Sequence, residues 1–114
     1  MNLKYIYKII NKADLEEARS SGTYSGSSKD IKDGYIHFSG QEQVNGTLKK
    51  YYSGKKNLIL LKVATLKLDH LVWEQSSDGN FFPHLYSPLD LSNVVNEYEI
   101  NLNNNGTHKL PDTI

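Results

Sequence analysis

Two of the four histidines, His37 and His84, each stand at the edge of an aromatic run beside a turn. The runs are Tyr35-Ile36-His37-Phe38-Ser39 and Phe81-Phe82-Pro83-His84-Leu85-Tyr86. An imidazole changes charge near neutral pH and can donate, accept or ligate. Aromatic walls with a few polar groups are the usual chemistry of a small-molecule pocket. Trp73-Glu74 stands at the mouth of a polar, Gly-containing loop, Gln75 to Asn80, which leads into the second run. Glu74 has two readings: a general acid or base with a raised pKa, or a solvated carboxylate at a strand end. The histidines also have a purely structural reading, as members of buried, satisfied polar networks. His37, His84 and Glu74 would form a two-histidine, one-carboxylate metal set. Their spacing gives no local ligand pattern such as two His at i and i+4, and no metal is expected. His70, in a leucine-flanked connection, reads as a surface or capping residue, and His108 lies beyond the last patterned segment.

Composition removes several classes of function. The chain has no cysteine, which excludes disulfides, thiolate nucleophiles and Cys-ligated zinc. Lys plus Arg and Asp plus Glu are balanced at 13 each, so the surplus of cations that a duplex nucleic-acid binder needs is absent. Arg19 is the only arginine, so an anion site would lean on Lys or on backbone N–H groups. No Gly-rich phosphate loop and no Gly-x-Ser-x-Gly elbow occurs. The longest plainly apolar stretch, Leu58-Ile59-Leu60-Leu61, is far too short to span a bilayer. Met1 to Ile10 carries no secretory pattern. The expectation is a cytoplasmic monomer or weak dimer, with neither a membrane nor duplex nucleic acid as a partner.

The 114 residues suit one domain with one core, predicted over 1–102, with 103–114 as a loose tail. Tyr5-Ile6-Tyr7-Lys8-Ile9-Ile10 predicts a first strand. Asn11 is placed to cap a helix over Ala13 to Ser20, which Ser21-Gly22 ends. Thr23 to Lys32, rich in Ser, Gly and Lys, predicts an exposed loop. Asp33-Gly34 is a turn signal before the short strand that ends at His37. Ser39 and Glu42 have capping-box spacing, and Val44, Leu48, Tyr51 and Tyr52 fall at helical intervals after them. The run from Asn57 to Ala64 predicts a central strand covered on both faces. Leu91 to Asn93 suggests a helical turn, and Val94 to Leu102 a final half-exposed strand. About five or six strands and two real helices define an α+β class, with a small, split or curved, mostly antiparallel sheet.

The two histidine segments make a family resemblance specific. Together with Ile6-Tyr7-Lys8-Ile9, Gly22, the Tyr24 to Ser28 loop, Gln43, Leu60-Leu61, Trp73-Glu74 and Pro88-Leu89, the chain resembles the bacterial family catalogued as domain of unknown function 952. The likeness runs over about residues 5–102. At the fold level that family is similar to ADP-ribosyltransferases and RNA 2′-phosphotransferases, which grip NAD or an ADP-ribosyl group in a split α+β fold. In those proteins a strand-end His, followed after one residue by Ser or Thr, bonds a ribose; His37-Phe38-Ser39 matches. The resemblance implies NAD or another nucleotide-like small molecule as ligand, with His37, Ser39, Trp73 and Tyr86 binding it. The resemblance leaves Glu74, Glu97 and Glu99 as candidates for the late-strand carboxylate and either His84 or Tyr86 for the nicotinamide pocket; their place beside the loop and the aromatic run selects Glu74 and His84 as the catalytic residues. The scarcity of arginine departs from the 2′-phosphotransferases and speaks against that reaction. A non-catalytic binding module using the same cleft is the alternative.

Overall fold

The computed structural model describes residues 4–114. The chain begins its fold with β1 (Tyr5–Asn11) and turns directly into α1 (Lys12–Ser21). The Asn11 side chain accepts from the Ala13 N–H at 2.9 Å, and Gly22, at φ 78°, closes the helix in the left-handed conformation. Then come β2 (Thr23–Tyr24), α2 (Ser28–Asp33) and β3 (Ile36–His37). A 3-10 turn over Gln41–Gln43 leads into α3 (Val44–Tyr51). The second half is β-rich: β4 (Leu58–Ala64), β5 (Leu71–Gln75), β6 (Phe81–Leu85), β7 (Leu89–Asp90), β8 (Val94–Leu102) and β9 (His108–Lys109). A single 3-10 turn, Leu91–Asn93, precedes β8.

The class is α+β, and the strands form separate antiparallel sheets. One has the order β1-β4-β8-β9, a second pairs β2 with β7, and a third has the order β3-β6-β5. Strand β4 is central in the first sheet, as its unbroken apolar run predicts, and it feeds both cores. Ile59, Leu61 and Val63 join Leu15, Ala18, Tyr24, Ile36, Leu85 and Leu89 under α1. Leu58 and Leu60 face the other way, toward Tyr7, Ile9, Val44, Leu48 and Ile100 under α3. The third sheet is tied to the first where Ser39 exchanges both backbone hydrogen bonds with Tyr7, at 2.8 Å each.

Several expectations are corrected. The predicted exposed loop over Thr23 to Lys32 contains β2 and α2, and the latter brings one fully buried side chain, Asp30. Ser39 caps no helix: its backbone is spent on β1, and its hydroxyl bonds that of Thr47 at 3.0 Å. Gln43 takes the capping role, its Oε1 accepting from the Gly40 N–H at 2.8 Å. The segment expected as a loose tail folds back, because Leu102 and Asn101 have a strand partner in β9, and Leu110 and Ile114 have apolar surface of the second core to cover. No helix among the described residues is long and apolar enough to cross a membrane.

Candidate functional site

Strand alternation assigns the site to one face of the β3-β6-β5 sheet. Ile36, Leu85, Leu71 and Trp73 turn to the first core. His37 and His84 lie directly opposite each other in the β3–β6 register, their ring centroids 5.5 Å apart. The sequence-separated imidazoles therefore converge. Tyr35 stacks on His84 at 4.1 Å, tilts against His37 at 4.6 Å and against Tyr86 at 5.2 Å.

Beneath His37 sits Asp30, a polar hub that no apolar periodicity announces. Its Oδ2 accepts from Lys8 Nζ at 3.0 Å and from the Ser27 N–H at 2.9 Å. Its Oδ1 accepts from the His37 N–H at 3.1 Å and lies 2.6 Å from His37 Nδ1. The Ser27 hydroxyl accepts from the Asp30 N–H, which completes a capping box for α2. Lys8 is 3% exposed and Asp30 2%, and Lys8 also donates to the His37 carbonyl at 3.0 Å. A buried charge pair needs such complete satisfaction, because desolvating two ions costs several kcal/mol per ion. On the other side of the ring, His37 Nε2 stands 3.1 Å from Asp33 Oδ2, so both nitrogens of His37 face carboxylates.

Burial alone would push the Asp30 carboxyl up. The bond from His37, the Lys8 ammonium and the Ser27 N–H outweigh it and hold the group well below the usual carboxylate range. Burial pulls the Lys8 ammonium down, against the opposing pull of Asp30. Because the folded-state value of Asp30 is depressed, its contribution to stability is full above the ordinary carboxylate value of 3.8 and is lost as the pH falls toward its folded value. Thermal unfolding followed by circular dichroism from about pH 6 to about pH 2 is expected to show a steep fall in midpoint below about pH 4. A flat profile there would contradict the assignment. Gly26 guards the same carboxylate. It holds φ +116°, and an added Cβ would lie 2.7 Å from the Asp30 Cβ. Gly26→Ala combines backbone strain with that overlap and is expected to cost about 2–3 kcal/mol in denaturant unfolding.

The second imidazole has its own carboxylate. Glu74 Oε1 lies 2.8 Å from His84 Nδ1 and accepts from the Tyr86 hydroxyl at 2.6 Å. The raised-pKa reading of Glu74 is overturned: the Tyr86 hydroxyl first, and then His84, hold it below its ordinary value. The same bond pushes the Tyr86 phenol up to about 12. His84 Nε2 has no partner among the described residues. No group of three or more His, Asp and Glu is placed to hold a metal ion among them either.

A cleft of about 830 Å³ opens over this face, lined among others by Tyr35, His37, Ser39, Phe82 and His84. Lys29 from α2 and Lys50 from α3 line it too, with their ammonium groups 5.6 and 5.2 Å from the centre of the Tyr51 ring. Among the six site residues expected from sequence, His37, His84 and Ser39 line the cleft. Trp73 does not: it packs on the first core, because alternation turns it away from Glu74. Glu74 and Tyr86 support His84 without lining the cleft. Glu97 and Glu99 pair with Arg19 and Lys12 on exposed surface of the first sheet. Sequence reasoning missed Lys8, Asp30 and Tyr35. The signals available were the Ser27-x-x-Asp30 capping spacing and the place of Lys8 between Ile6 and Ile10 on the core face of β1.

Fold and site together define a small α+β domain with an open cleft built around two carboxylate-backed histidines. The chain belongs to the family described as Protein of unknown function (DUF952), whose sequence profile matches residues 9–97. It is 40% identical to protein CC0527 from Caulobacter crescentus. The crystal structure of that protein matches with a TM-score of 0.87 over 92% of this chain and 93% of the other. The solution NMR structure of CC0527 matches with a TM-score of 0.81 over 96% of this chain and 93% of the other. No curated protein matches the chain.

Proposed function

We propose that the cleft binds NAD or another compound carrying an ADP-ribosyl group. The observation that carries this reading is the pairing of His37 with His84 across β3 and β6, with Tyr35 stacked on His84, at a cleft of about 830 Å³. Pockets for small ligands have volumes of about 300–1,000 Å³ and mix ring surfaces with a few polar groups. The sequence resemblance to ADP-ribosyltransferases supports the same ligand, since His37-Phe38-Ser39 repeats their ribose-binding pattern. In this reading His37 and Ser39 meet a ribose, while Tyr35 and His84 offer ring faces to a base.

A ligand of this class also needs cations for its two phosphates, and the single arginine is paired with Glu16 and Glu97 elsewhere. Lys50 and Lys29, the latter also 3.4 Å from Asp33 Oδ2, supply them, gathered at Tyr51 from two different helices. Lys29→Gln and Lys50→Gln are each expected to weaken ADP-ribose binding about tenfold, or about 1.4 kcal/mol, and to flatten its salt dependence. Adenosine binding would be nearly unaffected. Calorimetric titration measures all three quantities.

A binding module without catalysis is the second reading, favoured by one observation: Glu74 is held by His84 and Tyr86 and is not among the residues lining the cleft. Titration with NAD and ADP-ribose tests the ligand class, and saturable binding of either is expected. Absence of binding by both would remove the reading. Nicotinamide release from NAD over hours, with a panel of hydroxyl acceptors, then separates an enzyme from a binder.

A further inference from the structure

We propose that His84 Nε2 is the proton acceptor of the cleft, and that Glu74 and Tyr86 are positioning residues that hold it in that role. Three observations converge. His84 lines the cleft, yet it is a buried residue whose ring is fixed by Tyr35 stacked on one face. Its Nδ1 is 2.8 Å from Glu74 Oε1, and that same oxygen takes the Tyr86 hydroxyl at 2.6 Å. A carboxylate has no proton to give, so Nδ1 must be the N–H donor in the neutral ring. Nε2 then carries the lone pair, and it alone of the two nitrogens has no protein partner among the described residues. This is the logic by which an acid behind an imidazole selects its tautomer and orientation for acid–base work.

His37 is set differently: its Nδ1 lies 2.6 Å from Asp30 Oδ1 and its Nε2 3.1 Å from Asp33 Oδ2, so both of its nitrogens face carboxylates. His84 Nε2 has no such neighbour among the described residues.

The step this permits rests on the ADP-ribosyl reading. A hydroxyl, of water or of an acceptor, attacks the anomeric carbon of the ribose. The bond from that carbon to the nicotinamide nitrogen breaks, and its electron pair leaves with nicotinamide. The proton of the attacking hydroxyl passes to His84 Nε2 and from there to solvent. Glu74 stays ionised throughout, stabilising the imidazolium that forms.

The tautomer of His84 is the direct test, read from long-range nitrogen–proton NMR correlations of the native protein at a pH where the ring is neutral. The Nδ1–H form is expected in the native chain, and a shift of the proton toward Nε2 in Glu74→Ala. An Nε2–H ring in the native chain overturns the proposal whether or not Glu74→Ala folds. So does a tautomer unchanged by Glu74→Ala. The spectra need no ligand, so this outcome is separate from a failure of ADP-ribose to bind, which would count against the ligand reading alone.

Discussion

Replacing Asp30 with Asn is expected to cost about 3–5 kcal/mol of stability and to lower the unfolding temperature by roughly 12–20 °C. The effect is large because one carboxylate serves four donors. Lys8 Nζ, the Ser27 N–H, the His37 N–H and His37 Nδ1 all converge on it, in a place where 2% of the residue is exposed. An amide offers one acceptor oxygen and turns two N–H groups toward either Lys8 or His37. The Lys8 ammonium would then be buried without a countercharge, which is the costly way to break an ion pair. The loss should also reach the site, since Asp30 is what joins α2, β1 and β3. Denaturant unfolding measures it, and a loss under about 1 kcal/mol would mean that Asp30 is not the hub.

His84→Ala is expected to weaken ADP-ribose binding at least tenfold, about 1.4 kcal/mol or more, while lowering stability by only about 1–2 kcal/mol. Tyr35 loses its stacking partner and the cleft loses an imidazole whose Nε2 has no partner among the described residues. Glu74 remains half-exposed and keeps the Tyr86 hydroxyl, so no charge is stranded. His37→Ala should differ. It strips a donor from buried Asp30 and so costs stability, about 1–3 kcal/mol, together with affinity. Calorimetric titration and thermal unfolding of the two variants separate these patterns. Equal affinity in native and His84→Ala protein would contradict the placement of the ligand.

The parts of the fold that were legible in the sequence were those that bury apolar surface at a regular interval. The β4 run announced a central strand, and the alternation after Val94 announced β8. Asn11 and Gly22 marked the ends of α1 because capping chemistry is local. Helix α2 was illegible by the same measure: it is short, and the residue it buries is a carboxylate, so hydrophobic periodicity carries no trace of it. Its capping pair, Ser27 and Asp30, was the signal present. The site divides in the same way. The two histidines stood out by their aromatic neighbours, but their roles depend on carboxylates brought by α2 and β5. Trp73 was misplaced because adjacency to Glu74 along a strand means opposite faces, not a shared wall.

Nitrogen–proton correlation spectra of the labelled protein, recorded while ADP-ribose is added, test the shared cleft most directly. Saturable shifts centred on Tyr35, His37, His84 and the Lys50-Tyr51 end of α3 are the predicted result. Shifts confined to the β8–β9 side of the molecule, or none at millimolar ligand, would contradict it.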